Sequence, residues 1–588
     1  MKYNILSVVG QIYTLLNSRE RKGFLEVLLL VLMQSFIEVF GLAMVLPFLY
    51  IAQDPGKIET NDLIHSVYTT LSFSSHEWFI GAIAFSLIFA FIIKSVFGLW
   101  VVKIQTGYSL KIAHSMMDRQ VDNVLKKDYL YFKRHNSNKL VQDMATIPIE
   151  FASLIIQPTL MIFSEFAIGL LICIGVALYN VNILIGLILV LAPPIVLFYR
   201  LARRRIGELG IEKNEIRPKA YKYLFGAIHG IESVKISHSE NFFKKKMLQS
   251  FGQLFDKMRK LVVFESIPIR IIEVAAISAV CLLVVYSLFW GGSSTELIPL
   301  LVIFATAAYR LMPSLNRVVA SSIKMRGASY IFKRLKEEPA AKQHRADFEN
   351  PAYQFEFKQQ IAFNQITYRY PGNKEDTLKN LSFEIAKGES IGIIGKSGEG
   401  KSTLLRVFLK LLESDSGSLI VDGKPITYAN NYWWQEKVGY VEQSTYLLDG
   451  TVEENIAFGE HKIDEERVRK CLEMASLTKV VEALPLGQKS GVGEFGGSMS
   501  GGQQQRLAIA RALYRNVEIL VFDEATSALD VETEASIVET LSHLKSTGLT
   551  IVVVSHRVNS LSSCDRVIEI KDGEISETFS YKELLKNS

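Results

Sequence analysis

Ser390-Ile391-Gly392-Ile393-Ile394 runs straight into Gly395-Lys396-Ser397-Gly398-Glu399-Gly400-Lys401-Ser402-Thr403, and a helical segment follows. This is a strand, a glycine-rich loop and a helix start, the complete layout of a phosphate loop. The glycines let backbone N–H groups curl around phosphate oxygens at a helix N-terminus. Lys401 adds a charge for the β/γ-phosphates, and the Ser402 hydroxyl is placed to ligate Mg²⁺. Further on, the apolar strand Ile519-Leu520-Val521-Phe522 ends in Asp523-Glu524. Beside a phosphate loop, that pair predicts a Mg²⁺ ligand, Asp523, followed by a general base for an attacking water, Glu524.

From Phe355 onward, short β-rich runs alternate with helical segments, which predicts an α/β domain with a largely parallel sheet. Within it, Ser500-Gly501-Gly502-Gln503 precedes a helix containing Arg506 and Arg511, shortly before Asp523-Glu524. On these residues the chain resembles the ATP-binding cassette family, and that motif separates the family from other phosphate-loop ATPases. The resemblance implies ATP and Mg²⁺ as the bound pair. It assigns Gln443, after strand Val438–Val441, to the loop that senses Mg²⁺ and touches a membrane domain, and His556, after strand Ile551–Val554, to the γ-phosphate. It stacks Tyr370 on adenine and turns Ser527-Ala528-Leu529-Asp530 toward a partner's site. Met499 stands where the family usually has Leu, an apolar swap that a core tolerates.

In that family the Ser-Gly-Gly element completes the site of a second domain facing it head to tail. One chain holds one cassette, so the resemblance implies a twofold homodimer in which Ser500, Gly501, Gly502, Gln503 and Asp530 act in trans. Pairing with a similar second chain is the alternative.

The remaining half is a different material. The chain has 588 residues, 49% of them hydrophobic, too apolar for one large soluble enzyme and suited to a membrane half joined to a soluble half. A balance of 65 basic to 60 acidic residues gives no argument for nucleic acid. Four cysteines without pairing or metal spacing read as structural thiols.

Six apolar segments are long enough to span a bilayer: 23–51, 78–102, 149–179, 183–199, 268–290 and 297–319. The first is too long for a signal-peptide core and carries Glu26 and Glu38, so it is expected to be retained as a membrane helix. Arg19, Arg21 and Lys22 before the first segment, Lys126, Lys127, Lys133 and Arg134 after the second, and Arg203, Arg204 and Arg205 after the fourth mark the cytoplasmic side. Both ends of the chain are therefore expected inside. In the first outer loop Leu63, Ile64, Val67, Tyr68 and Leu71 share one helical face, which fits either a short helix on the outer membrane surface or an ordinary ordered loop. The second through fifth helices are expected to project into the cytoplasm, with coupling contacts near Tyr129–Asn136 and Lys219–Ile228.

The expected organisation is a six-helix α-helical transmembrane domain over 1–335, a polar linker over 336–352, and an α/β nucleotide-binding domain over 353–588. With the family resemblance this implies an exporter in a bacterial plasma membrane, its nucleotide domain cytoplasmic.

Four cations lie inside the spans: Lys94, Arg270, Arg310 and Arg317, the last two seven residues apart on one helical face. Charges there are costly and face a cavity or a partner. Doubled by symmetry they would line a cationic cavity for an anionic headgroup; alternatively they neutralise Glu38, Glu165, Glu265 and Glu273 between helices, with Arg270 and Glu273 spaced for an in-helix pair. Ser35-Phe36-Ile37-Glu38, leading to Leu46-Pro47-Phe48, and Tyr309–Arg317 resemble the lipid-linked oligosaccharide flippases of bacterial protein glycosylation. That resemblance implies a polyprenyl-pyrophosphate-linked glycan as substrate. Exporters of lipid, drug or peptide, and a nucleotide-gated channel, are the competing readings.

Overall fold

The computed structural model describes residues 5–53, 55–60, 62–70, 73, 75–179, 181–290, 294–337, 356–427, 429–493, 496–524 and 531–587. Contacts divide the chain into two compact units, one of long helices and one of sheets, and residues 128–131 group with the second.

The helical unit opens with α1 (Ile5–Leu15), whose Val8 and Ile12 are buried, and continues through α2 (Ser18–Ala43), α3 (His76–Leu125), α4 (Gln157–Tyr179), α5 (Val181–His229), α6 (Glu240–Trp290) and α7 (Ser294–Gly327). Among the described residues, four helical stretches are long and apolar enough to cross a membrane: Ser18–Gly41, His76–Leu125, Ser137–Leu178 and Leu184–His229. Helices α6 and α7 cover the other two segments read from the sequence. The protein is an integral membrane protein with a helical transmembrane region fused to an α/β domain.

Three helices run well past a bilayer. At 50, 49 and 51 residues, α3, α5 and α6 each measure about 75 Å, against about 30 Å of hydrocarbon. Of the four helices expected to project, α3, α5 and α6 are thus continuous rods, whereas the stretch leading into α4 is interrupted by π-turns at Gln142–Thr146 and Ala152–Ile156.

The first span differs from its sequence reading. Instead of one helix over 23–51, α2 ends at Ala43 and a second helix, Val45–Gln53, starts after a turn at Met44. The cause is Pro47, which has no N–H to offer the Ala43 carbonyl one turn back.

In the first outer loop a helix does form, over Asp62–Thr70. Ile64 and Tyr68 pack against a small core of Ile51, Ile58 and Phe79, and Tyr68 meets Phe79 edge-on at 5.2 Å. That part of its apolar face is turned into protein; Leu71 lies outside the described residues.

The second unit holds two sheets. Strands β3 (Ser390–Ile394), β6 (Val438–Val441), β7 (Ile519–Asp523), β8 (Thr550–Val554) and β9 (Arg566–Lys571) are parallel in the order β9-β3-β8-β7-β6, and β10 (Glu574–Phe579) adds an antiparallel edge. β7 and β8 are buried at every position, as parallel strands covered on both faces must be. A second, antiparallel sheet goes beyond the expected largely parallel one: β1 (Gln360–Tyr368), β2 (Leu378–Ala386), β4 (Ser416–Val421) and β5 (Lys424–Pro425) lie in the order β2-β1-β4-β5, and the β1–β2 pairing slips register twice between Phe363 and Tyr368. Those irregularities break the period-2 signal that would announce them.

Candidate nucleotide site

The site gathers at the carboxyl ends of β3, β7 and β8, where open α/β sheets place ligands. β3 delivers the chain into the glycine loop, and α8 (Lys401–Phe408) begins at once. Gly395 is required twice: it sits at φ +152°, and a Cβ there would meet the Ile570 carbonyl oxygen at 2.3 Å. Gly400, at φ +104°, is equally closed to a side chain, which would reach the Thr377 carbonyl at 2.9 Å.

Lys401 is 5% exposed and folds back on the loop, its Nζ donating to the carbonyls of Gly395 at 2.7 Å and Lys396 at 2.9 Å. Within the loop, the Glu399 carboxylate accepts the backbone N–H of Lys396 at 2.7 Å. An anion thus already sits on a loop amide, and this donor set fits phosphate.

Asp523 and Glu524 close β7. Asp523 Oδ1 lies 3.5 Å from the Ser402 hydroxyl, and Oδ2 accepts from Tyr440 at 3.1 Å. Burial pushes the Asp523 carboxyl above its usual range, against the pull of Tyr440 and Arg406. Ser402, Asp523 and Gln443 offer oxygen donors of the kind a hard divalent cation prefers. Among the described residues no three His, Cys, Asp or Glu side chains converge as a protein cage.

Glu524 is half-buried and adopts a left-handed backbone, φ +47°, which for a non-glycine residue stores strain of the sort found at functional sites. Its carboxylate is approached by Gln443 Nε2 at 3.0 Å, Lys401 Nζ at 3.7 Å and His556 Nδ1 at 3.9 Å. The residues picked from sequence as catalytic are therefore together.

Tyr370 is held by Arg406, whose Nη1 donates to its hydroxyl at 3.1 Å, with Thr403 Oγ1 3.4 Å away and Tyr368 edge-on at 5.0 Å. Sequence reading missed Arg406. Lying past the motif on α8, it carries no spacing signal of its own. Its guanidinium also stands 5.8 Å over the Tyr129 ring, and Tyr129 and Leu130 pack on the core beneath β3. Lys219–Ile228, the other expected coupling tip, belongs to α5 in the helical unit.

Ser500 caps helix α9 (Gly501–Tyr514) in a reciprocal box with Gln503: Ser500 N–H donates to Gln503 Oε1 at 3.0 Å, and Gln503 N–H to Ser500 Oγ at 3.4 Å. Gly501 starts that helix and Gly502 is buried, with a Cβ at Gly502 destined for Thr533 Cγ2 at 2.3 Å. Arg511 braces the stretch after Gln443, donating to the carbonyls of Asn455 and Tyr446, each at 2.7 Å. Met499 is buried in the core as the apolar swap requires. Ser397 and Gly398 lie in the glycine loop; Asp530 and the rest of 525–530 lie outside the described residues.

In the helical unit the four intramembrane cations do not form one group. Arg310 pairs with Glu38, and Arg317 Nε meets Glu165 Oε1 at 2.9 Å. Lys94 lies 4.9 Å over the Phe91 ring, near the Glu38 and Arg310 charges. Arg270 instead bonds Glu273 of its own helix at 2.9 Å. The pairing alternative describes three of the four.

Residues 378–527 match the family described as ABC transporter, and residues 60–311 the family described as ABC transporter transmembrane region. A leukotoxin translocation ATP-binding protein LktB from Mannheimia glucosida is 40% identical over 233 residues, and its Mannheimia haemolytica counterpart 39%. These matches take in 40% of this chain and 33% of each relative, so the chain aligns with a third of the length of these curated relatives. A solved bacterial Atm1-family ABC exporter with ATP bound superposes over 97% of this chain and 96% of its own, with a TM-score of 0.72 and 20% sequence identity.

Proposed function

We propose, for a chain that has the fold of an ABC exporter half-transporter, that it is an ATPase driving outward transport across a bacterial plasma membrane, as a homodimer with cytoplasmic nucleotide domains. The observation that carries this is the convergence of Lys401, Gln443 and His556 on the Glu524 carboxylate, beside Ser402 and Asp523.

Lys396, Ser397, Gly398, Glu399, Gly400 and Thr403 shape the phosphate cradle around Lys401, and Tyr370 offers its ring to adenine. Glu524 accepts the proton of the attacking water, and Gln443 and His556 hold that carboxylate and the terminal phosphate in line. Ser402, Asp523 and Gln443 would hold Mg²⁺, which would supply charge neutralisation on the phosphates. Ser500 to Gln503 of one copy complete the site of the other. Nucleotide that binds the closed dimer better than the open one shifts the population and so alternates access.

A finer reading concerns the cargo. Lys94, Arg310 and Arg317 outnumber the neighbouring Glu38 and Glu165 by one charge in each chain, which supports an anionic substrate such as a polyprenyl-pyrophosphate-linked oligosaccharide. The names of the curated relatives support a translocated polypeptide instead.

The test is reconstitution in liposomes with ATP. Glu524→Gln is expected to keep nucleotide binding and lose at least a hundredfold in turnover, the size of a general-base contribution. Full ATPase activity in that variant, or in a strict monomer, refutes the assignment. Outward movement of a fluorescent lipid pyrophosphate, absent in K94Q/R310Q/R317Q while basal ATPase persists, separates the anionic cargo from a polypeptide one.

A further inference from the structure

A cavity of about 360 Å³ lies among α1, α5 and α7, well away in sequence from every nucleotide residue. Its floor is apolar: Val8, Ile195, Val319 and Met325 line it and are each at most 9% exposed. At one end stand three guanidiniums, Arg200, Arg203 and Arg326, with Tyr199 beside them. Arg326 Nε donates to the Arg203 carbonyl at 3.3 Å, which ties α7 to α5 and fixes that end. Glu208, the next acid along α5, is taken by Arg204 and Arg205 at 3.0 and 3.2 Å. No carboxylate is among the described residues that line the cavity.

The arrangement has a direction. Ile195 and Arg200 are five residues apart on one helix, about 7.5 Å along its axis, so an apolar slot gives way to a cationic rim over roughly the depth of a lipid headgroup region. The rim follows directly on the fourth apolar segment, on the side marked cytoplasmic by Arg203, Arg204 and Arg205. Tyr199 at the boundary is the aromatic expected where hydrocarbon meets water. The volume falls within the range of ligand-binding cavities and suits part of an acyl chain.

We infer that this cavity holds an anionic phospholipid of the cytoplasmic leaflet, its acyl chain between Val8, Ile195 and Val319 and its phosphate at Arg200 and Arg203. The charge complement selects the occupant: an acidic headgroup matches the cations of Arg200 and Arg203 where a neutral one does not, and basic pockets between helices on this side suit acidic headgroups. The assignment stands whatever the exported cargo is. The lipid would staple α1 to two spans.

The full-length protein is extracted from vesicles containing equal parts phosphatidylcholine and phosphatidylglycerol, and retained lipid is read by native mass spectrometry. Wild type is expected to keep phosphatidylglycerol in preference, and R200Q/R203Q to lose roughly tenfold in that preference. Ser322→Leu, which fills part of the cavity, is expected to lower retention of both lipids with the ratio unchanged. Excess inorganic phosphate is expected to displace nothing. Wild type without preference, a ratio unmoved in R200Q/R203Q, or release by inorganic phosphate each overturns the proposal. So does efficient cross-linking between two copies through Val196→Cys, which would assign the cavity to a dimer contact.

Discussion

The side-chain amide of Gln443 donates to the Glu524 carboxylate across 3.0 Å, joining the loop after β6 to the end of β7. Glu524 is thereby held at the one point where Lys401 and His556 also approach. Gln443→Ala frees the carboxylate without removing it. The expected result is a kcat for ATP lowered roughly tenfold, a fraction of what losing a general base costs, with KM changed much less. Steady-state hydrolysis by reconstituted protein measures this; an unchanged kcat denies Gln443 any part in positioning Glu524.

Arg406 holds the Tyr370 hydroxyl at 3.1 Å, and a hydrogen bond to a charged donor is worth about 1.5–3 kcal/mol. Arg406→Leu lets the ring swing, so ATP affinity is expected to fall roughly tenfold. The kcat at saturating ATP is expected to stay within about twofold, because a ring stacked on adenine, as proposed, would bind ground and transition states alike. Fluorescent-nucleotide titration combined with hydrolysis separates the two effects.

Gly502 faces Thr533 so closely that a Cβ would stand 2.3 Å from its Cγ2. Gly502→Ala should destabilise the nucleotide domain by about 1–3 kcal/mol, although alanine is the better helix former. Gly502→Ala/Thr533→Ser, which removes the opposing methyl, is expected to recover most of the loss. Thermal unfolding of the three proteins decides it, and equal Tm values for the single and double variants would refute the clash.

Asp422 accepts three backbone N–H groups, from Lys358 at 2.5 Å, Gln359 at 2.9 Å and Gln360 at 2.8 Å. Burial works against its charge, yet those donors together hold its carboxyl below the usual range. A depressed folded-state pKa contributes stability that is present above the unfolded value of about 3.9 and lost as pH falls through the folded value. Asp422→Asn keeps a side chain that tolerates the left-handed backbone at this position, φ +46°. Its destabilisation is expected to be present at neutral pH and to shrink on acidification below about pH 4, measured as urea midpoints across that window.

The nucleotide half was legible because its chemistry is local. Strand, glycine loop and lysine are contiguous, and β3, β6, β7 and β8 each fall within a residue of where their apolar runs lie. Arg406 and Tyr440 were not legible: each acts across a distance in sequence, on Tyr370 and Asp523, and nothing in a lone arginine or tyrosine announces its partner. The membrane half showed its spans, but composition cannot tell a cation facing a cavity from one facing Glu38 or Glu165. The break at Met44 could have been anticipated from Pro47, had the missing donor been weighed against the hydrophobic run.

The 75 Å rods have one more consequence. With only about 30 Å of each in hydrocarbon, more than half of α3, α5 and α6 is solvated by water and packed by neighbouring helices, not by lipid. Two solvents therefore govern one helix: detergent choice tunes its upper part, whereas salt and denaturant act on its lower part. The two ends of a single uninterrupted element should melt on separate schedules.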